Sequence, residues 1–152
     1  MNHLAKVQEI LEQNIYCTVS TVCDDGKPWG SPVFFGFDND RTIYWRSWTE
    51  NVHSRNLQAR SGAFVTIFDS HTPWGEGTGV YMLGKAHQLD DVAEIDKALS
   101  CMNLRSKKSS EVEEFLAPNP RRMYAFTPEK TWVNIDKEKD GRYIDERVEA
   151  SS

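Results

Sequence analysis

The stretch YWRSWTENVHSRNL, residues 44–57, decides how this chain folds. It begins with the aromatic and β-branched residues typical of a β-strand and becomes, within a few residues, the first turn of a helix. Side chains that can form hydrogen bonds crowd around this junction: Arg46, Ser47, Thr49, Asn51, His53, Ser54, Arg55 and Asn56. Their concentration at one point indicates either a bound anion or a helix cap.

Both interpretations have a physical basis. A helix N-terminus has unpaired N–H groups and the positive end of its dipole, so a phosphate or carboxylate is stabilised there. Arg46, Ser47 and His53 would add guanidinium, hydroxyl and imidazole donors. In the alternative, Asn51 or a nearby hydroxyl is the N-cap, the arginines and His53 lie on the surface, and Glu50 disfavours a phosphate. From the junction alone, the second interpretation is the more common one.

The composition indicates one domain in a chain of 152 residues. A net charge of −5, from 18 basic and 23 acidic residues, gives no general attraction to polyanions. Nucleic acid and an anionic membrane surface are therefore poor candidates for the main partner. The three cysteines lack CxxC spacing, which predicts reduced thiols in a cytoplasmic protein. No segment is long and apolar enough to cross a bilayer, so no membrane association is expected.

Motifs for hydrolysis and metal binding are missing from the sequence. It has no serine elbow, no phosphate-cradling glycine loop and no GxGxxG motif. His53, His71 and His87 lack the short spacing of metal ligands and have no accompanying cysteine, so we expect no metal. No catalytic side chain can be assigned.

Hydrophobic periodicity divides the chain into strands and helices. Residues 3–13 have helical spacing, and the Asp-Gly turn at 24–27 joins two strands. Gly84 is predicted to form a bulge, and the ten-residue loop 69–78 is longer than a hairpin needs. Strands are predicted at 15–23, 28–37, 42–46, 62–68, 79–89, 122–127 and 130–135, and two further helices at 90–102 and 109–116.

This order of elements predicts the fold class. Hairpin-connected strands with helices inserted between groups argue for an antiparallel α+β domain. We predict a small antiparallel β-barrel of about six to seven strands with peripheral helices. The domain is expected to span residues 1–135, and the mostly charged residues 136–152 are expected to form a loose tail.

Several segments, taken together, resemble a known family. They are YCTVSTV, KPWGSPVFFGFDNDRTIYW, the junction RSWTENVHSRNL, GAFVTIF, GTGVYMLGKAHQL and the closing PRRMYAFTPEKTWVN. In this order they resemble the pyridoxamine 5'-phosphate oxidase-like split-barrel flavoproteins, which bind FMN. The resemblance covers about residues 4 to 135 and implies that the barrel is split.

The resemblance also implies where FMN would bind. It implies a homodimer with two flavin sites in clefts between the subunits, and it favours phosphate binding at the junction. In many members a lysine occupies the position of His53, so this contact departs from the family pattern. The implied cofactor-binding residues are Arg46, Ser47, His53 and Asn56 around the phosphate, with Trp45 and Leu57 beside them, Gly30, Ser31, Pro32 and Val33 along the ring edge, and Trp74 and Trp132 lining the cleft.

A bound flavin would carry the redox chemistry itself, while the protein positions the substrate. The resemblance therefore implies an FMN-dependent oxidoreductase acting on an unidentified small molecule. Oxidation of pyridoxamine phosphate is not expected, because the tail DGRYIDERVEASS differs from the basic Trp- and Arg-containing segment of such enzymes. The alternatives are a non-catalytic flavin, deazaflavin or haem binding or sensor protein, and a barrel for an apolar ligand.

Overall fold

The computed structural model describes residues 3–150, apart from the side chains of residues 136, 137 and 143. The helices are α1 (His3–Gln13), α2 (Val52–Ala59) and α3 (Val92–Ser106), followed by a 3₁₀ helix at Val112–Phe115. The strands are β1 (Tyr16–Val22), β2 (Pro28–Phe34), β3 (Gly36–Phe37), β4 (Ile43–Trp48), β5 (Gly62–Phe68), β6 (Gly79–Gln88), β7 (Arg121–Lys139) and β8 (Arg142–Glu149).

The strands form one curled antiparallel sheet. Seven of them follow the order β2-β1-β5-β6-β7-β4-β3, and β8 pairs with the far end of β7. β2 and β3 stand at opposite ends of this order, yet only Phe35 separates them in the chain. The sheet must therefore curl until its two ends meet at this buried residue. The predicted α+β split barrel is confirmed.

The curled sheet separates two hydrophobic cores. Because successive side chains of a strand point to opposite faces, β4 contributes to both. Ile43 and Trp45 enter the core inside the barrel, which α1 completes with Leu11. Tyr44 instead joins the second core, which packs beneath α3 with Met102. This alternation along β4 determines which junction side chains can meet.

The predicted bulge at Gly84 is confirmed, and it explains an error in the strand assignment. The β6–β7 register shifts between Leu83 and Gly84, and Gly84 lies opposite Pro128. A side chain at Gly84 would overlap the carbonyl oxygen of Thr127. The two strands predicted on either side of Pro128 are in fact one, because the irregularity accommodates a residue that cannot donate to the ladder.

The C-terminal part of the chain needs two further corrections. The loose tail predicted for residues 136–152 is wrong for residues 136–149, because β7 continues to Lys139 and pairs with β8 (Arg142–Glu149); residues 151 and 152 lie outside the described part of the chain. The helix predicted at 109–116 is only a 3₁₀ helix at Val112–Phe115, which begins with a capping box between Glu111 and Glu114. The charged composition at the end of the chain therefore reflects an exposed hairpin.

Two features of the structure concern the predicted cytoplasmic location: the state of the cysteines and the character of the helices. Cys17, Cys23 and Cys101 are free thiols, and burial raises the pKa of Cys17 to about 12. Of the helices in residues 3–150, none has the length and apolar character needed to span a membrane. The cytoplasmic location stays a prediction.

Candidate functional site

The inward-facing side chains of the strand-to-helix junction form a hydrogen-bonded group. The Ser47 hydroxyl and His53 Nε2 lie 2.8 Å apart, and Asn51 Nδ2 donates to Ser47 Oγ over 2.7 Å. Ser47 and His53 are both buried. The end of β4 and the first turn of α2 thus hold these three residues, which we name the Ser47 group, in one fixed arrangement.

The Ser47 group lies at an uncapped helix start. Asn51 occupies the N-cap position of α2, but its side chain bonds Ser47 and makes no capping hydrogen bond to the helix. The first-turn amides therefore lack the side-chain acceptor that usually satisfies one of them. The alternative interpretation, in which the Asn51 side chain caps the helix, is therefore wrong, and the first turn of α2 retains donor capacity toward an anion.

His53 is electrostatically suited to respond to an added charge. Burial lowers the pKa of His53 below its usual value. The imidazole is consequently neutral near pH 7 in the ligand-free protein. A nearby dianion would favour the protonated ring, so His53 can gain a positive charge when such a ligand binds.

Arg46 lies on the opposite face of β4 from Ser47. Its Nη1 donates to Ser110 Oγ over 3.0 Å, beyond the end of α3. Burial is the main cause that lowers the pKa of Arg46, and the nearby Arg121 guanidinium adds to the effect. The structure therefore does not bring Arg46 together with Ser47 and His53, although the two residues are adjacent in sequence.

Asn56 and Leu57 attach α2 to the barrel. Asn56 Nδ2 donates to Thr21 Oγ1 over 3.0 Å and approaches Cys23 Sγ at 3.5 Å, both near the end of β1. Leu57 is buried in the barrel core. In this arrangement the Asn56 amide positions the helix that carries His53.

The predicted ring-edge residues lie along β2 at one end of the strand order. Ser31 and Val33 are buried, whereas Gly30 and Pro32 are exposed, as expected from strand alternation. β2 pairs only with β1 within residues 3–150, so its other edge offers free backbone groups. These groups can bind a ligand or a partner chain.

The three predicted tryptophans occupy different environments. Trp45 is fully buried and stacks on Tyr124, with ring centroids 5.8 Å apart. Trp132 stacks on Phe64 at 6.4 Å. Trp74 is 96% exposed in the loop between β5 and β6. Within one chain, the structure does not bring these three rings into a common cleft.

Sequence reasoning missed Arg122. It lies opposite Ser47 in the β4–β7 register, and it is buried while its neighbour Arg121 is not. Arg122 Nη2 donates to Asp90, which follows β6. The signal was present in RRMYAF, where a period of two separates Arg122, Tyr124 and Phe126 from the residues facing α3.

A cleft of about 430 Å³ opens between α2 and the end of β6. Its lining is largely polar: Thr49, Ser54, Leu57, Gln58, His87, Gln88, Asp90 and Tyr124. Ser47, Asn51 and His53 are not among the residues that line it. In the described part of the chain, no three His, Cys, Asp or Glu side chains are grouped to hold a metal ion.

Comparison with known families identifies the fold. The model for the pyridoxamine 5'-phosphate oxidase family matches residues 4–134, almost the whole barrel. The chain belongs to the pyridoxamine 5'-phosphate oxidase family. The resemblance inferred from the segments of the sequence is thereby confirmed. No curated protein matches the chain.

Several solved structures share the fold of this chain. A Bacteroides thetaiotaomicron protein described as a candidate for 5-nitroimidazole antibiotic resistance is 19% identical, with a TM-score of 0.73 over 88% of this chain and 84% of its own. HutZ, a haem storage protein from Vibrio cholerae, is 14% identical, with a TM-score of 0.69 over 85% and 92%. A Clostridium acetobutylicum protein related to general stress protein 26 is 15% identical, with a TM-score of 0.63 over 95% and 94%.

Proposed function

We propose that this protein binds FMN and acts as an oxidoreductase on a small molecule. The observation that carries the proposal is the Ser47 group at the uncapped start of α2. A terminal phosphate there would accept hydrogen bonds from backbone amides and a hydroxyl, and it would be stabilised by the helix dipole. Membership of the pyridoxamine 5'-phosphate oxidase family supports a flavin as the bearer of that phosphate.

The residues present fit a flavin mononucleotide in part. Ser47, His53 and the first amides of α2 supply phosphate donors on one face of β4. Arg46 does not belong to this set, because its guanidinium bonds Ser110 on the other face. Ser31, with the open edge of β2, supplies polar groups of the kind that bind a flavin ring edge.

When bound, the flavin would supply the electron or hydride transfer. The chain's own residues would bind and orient the cofactor. His53 would take up a proton beside the phosphate, and Asn51 and Asn56 would position Ser47 and α2. Ser47 lies within hydrogen-bonding distance of His53, but it also accepts from Asn51, and Ser47 and His53 are both buried, so we assign no side chain to catalysis.

We further propose that the protein is a homodimer with a flavin site between subunits. Large apolar side chains are exposed on the outer face of the barrel sheet: Tyr16 on β1, Phe68 on β5 and Leu83 on β6. Exposed apolar area of this kind marks an interface, and a symmetric pair of identical faces is the commonest way to cover it. Trp74 and Trp132 would line the flavin cleft across this interface.

The decisive experiment compares FMN, riboflavin and FAD titrated into flavin-free protein. We expect FMN to bind about tenfold or more tightly than riboflavin, because only FMN carries the terminal phosphate. Sedimentation with and without FMN should give a dimer in both states. Equal affinity for FMN and riboflavin would contradict the phosphate site, and a flavin-loaded monomer would contradict the intersubunit cleft.

Haem binding is the second candidate, favoured by the shared fold of HutZ. His71 offers an exposed imidazole in the loop between β5 and β6, where it pairs with Asp69 over 3.3 Å. Visible absorption after reconstitution separates the two cofactors, since haem gives an intense Soret band and FMN does not. A His71→Ala variant that loses this band while retaining its fold would favour haem over FMN.

A further inference from the structure

The second observation with functional content is the environment of Arg122, which lies opposite Ser47 in the β4–β7 register. Its side chain is only 9% exposed, and its Nη2 donates to the Asp90 carboxylate. Within residues 3–150, no group accepts a hydrogen bond from its buried Nε. A buried donor without a partner is uncommon and marks a place where a water or a ligand is expected.

The two partners of the ion pair between Arg122 and Asp90 differ in their exposure to solvent. The Asp90 side chain is 70% exposed and lies in the chain segment between β6 and α3. A buried guanidinium must be compensated by an anion, but an exposed carboxylate can return to water at little cost. Asp90 is thus the half of the pair that another anion can replace.

The adjoining cleft offers hydrogen-bonding groups for the rest of a polar ligand. Arg122 does not line the cleft itself but is linked to it through Asp90, which does. The hydroxyl of Thr49 and the amides of Gln58 and Gln88 also line the cleft. Its volume of about 430 Å³ falls within the range of small-molecule sites. An arginine presents a planar fork of donors that matches a carboxylate.

We propose that this cleft is a second binding site, which takes a small polar carboxylate such as a hydroxy acid. The carboxylate of the ligand would replace Asp90 as the partner of Arg122, and the hydroxyl of the ligand would bond the polar lining. The site adjoins the one proposed for FMN, because Arg122 lies opposite Ser47. The cleft lining and the Ser47 group have no residue in common, so the two proposals can be tested separately.

The test is an NMR titration of the ¹⁵N-labelled full chain with lactate, and with lactamide as its uncharged isostere. We expect lactate to shift the Arg122 Nε–H resonance saturably, with and without saturating FMN, and lactamide to leave it unchanged. The parent protein suffices for this measurement, so the result does not depend on a variant that fails to fold. Equal shifts with both compounds, no saturable shift with lactate, or displacement of lactate by FMN would overturn the proposal.

Three variants sharpen the result. Asp90→Asn removes the competing charge and should tighten lactate binding by about tenfold, whereas Arg122→Gln should weaken it by at least about tenfold. Arg121→Gln is the matched control: it removes an adjacent arginine that faces away from the barrel interior, and it should bind lactate like the parent. Loss of lactate binding in Arg121→Gln, or unchanged affinity in Asp90→Asn, would count against Arg122 as the receptor.

Discussion

The two faces of β4 carry different chemistry although their residues alternate in one short segment. On the inward face, Trp45 packs in the barrel core and Ser47 bonds uncharged polar partners on α2. On the outward face, Tyr44 donates to the Asp38 carboxylate over 2.9 Å and Arg46 bonds Ser110. Sequence proximity therefore does not make a site, because in a strand only alternate residues share a face.

The faces also differ in how they handle charge. Asp38 accepts the Tyr44 phenol and pairs with Lys97 over 2.7 Å, an ion pair with one exposed partner. Burial, reinforced by the Asp38 hydrogen bond, raises the pKa of Tyr44 to about 12. The inward face instead keeps a neutral His53, which a ligand can charge. The outward face is thus stabilised by permanent charges. On the inward face, the protonation of His53 can change when a ligand binds.

The largest expected effect is on the free energy of unfolding, and it compares the two tryptophans of β4. Trp45→Ala should lower the free energy of unfolding by about 3 to 5 kcal/mol, because it removes a fully buried indole. Trp48→Ala, three residues away on the outward face and 51% exposed, should cost less than about 1 kcal/mol. Urea unfolding followed by circular dichroism at fixed protein concentration measures both. Similar losses for the two variants would contradict the assigned alternation.

The next effect concerns cofactor affinity. Ser47→Ala should weaken FMN binding by about 10- to 100-fold, since it removes a hydrogen bond to a charged phosphate. Arg46→Ala should change the affinity by no more than about twofold, because Arg46 points to the other face. Fluorescence titration with FMN gives both dissociation constants. A large loss in Arg46→Ala alone would move the phosphate to the outward face.

The smallest expected effect is the contribution of His53 to the pH dependence of stability. Its pKa is lowered in the folded protein, so the unfolded state binds the proton more readily. Stability of the flavin-free protein should be fully present above about pH 6.5, the ordinary histidine value, and should fall as the pH drops through that value toward the lowered pKa. His53→Gln should remove this contribution in unfolding experiments at a series of pH values. An identical pH profile in His53→Gln would show that other groups cause the loss.

FMN affinity should follow the opposite direction with pH. A phosphate dianion beside His53 favours the imidazolium, so affinity should weaken as the pH rises through the raised pKa of the complex. His53→Lys should retain binding at alkaline pH, because an ammonium group stays charged there. Calorimetric titration at several pH values checks this trend. A flat profile in the parent would place His53 away from the phosphate.

The sequence predicts local structure well wherever turn chemistry and periodicity agree. The Asp-Gly turn, the start of α2 after β4 and the bulge at Gly84 all follow from short-range signals. The prediction of two separate strands around Pro128 was wrong, because β7 can contain this proline only through its irregular pairing with Gly84 across the sheet. That pairing joins residues more than forty positions apart, which no local pattern encodes.

The candidate site was predictable only in part for the same reason. Ser47, Asn51 and His53 are close in the chain, and the junction alone brings them together. Strand alternation would have separated Arg46 from Ser47 if it had been applied to the junction. Arg122 could not be placed beside Ser47 from sequence, since the β4–β7 register spans 75 positions (122 − 47).

The length of β7 has a consequence for how the chain folds during synthesis. β7 supplies pairing edges to β4, β6 and β8, and it leaves the ribosome after β4 and β6. Until residue 121 and those after it emerge, β4 and β6 both lack this neighbour. A nascent chain that stops before Arg121 therefore exposes two unsatisfied strand edges, which are prone to pair with other chains. The barrel can close only after β7 has emerged, so a chaperone that protects open strand edges would be needed most in the interval between the synthesis of β6 and of β7.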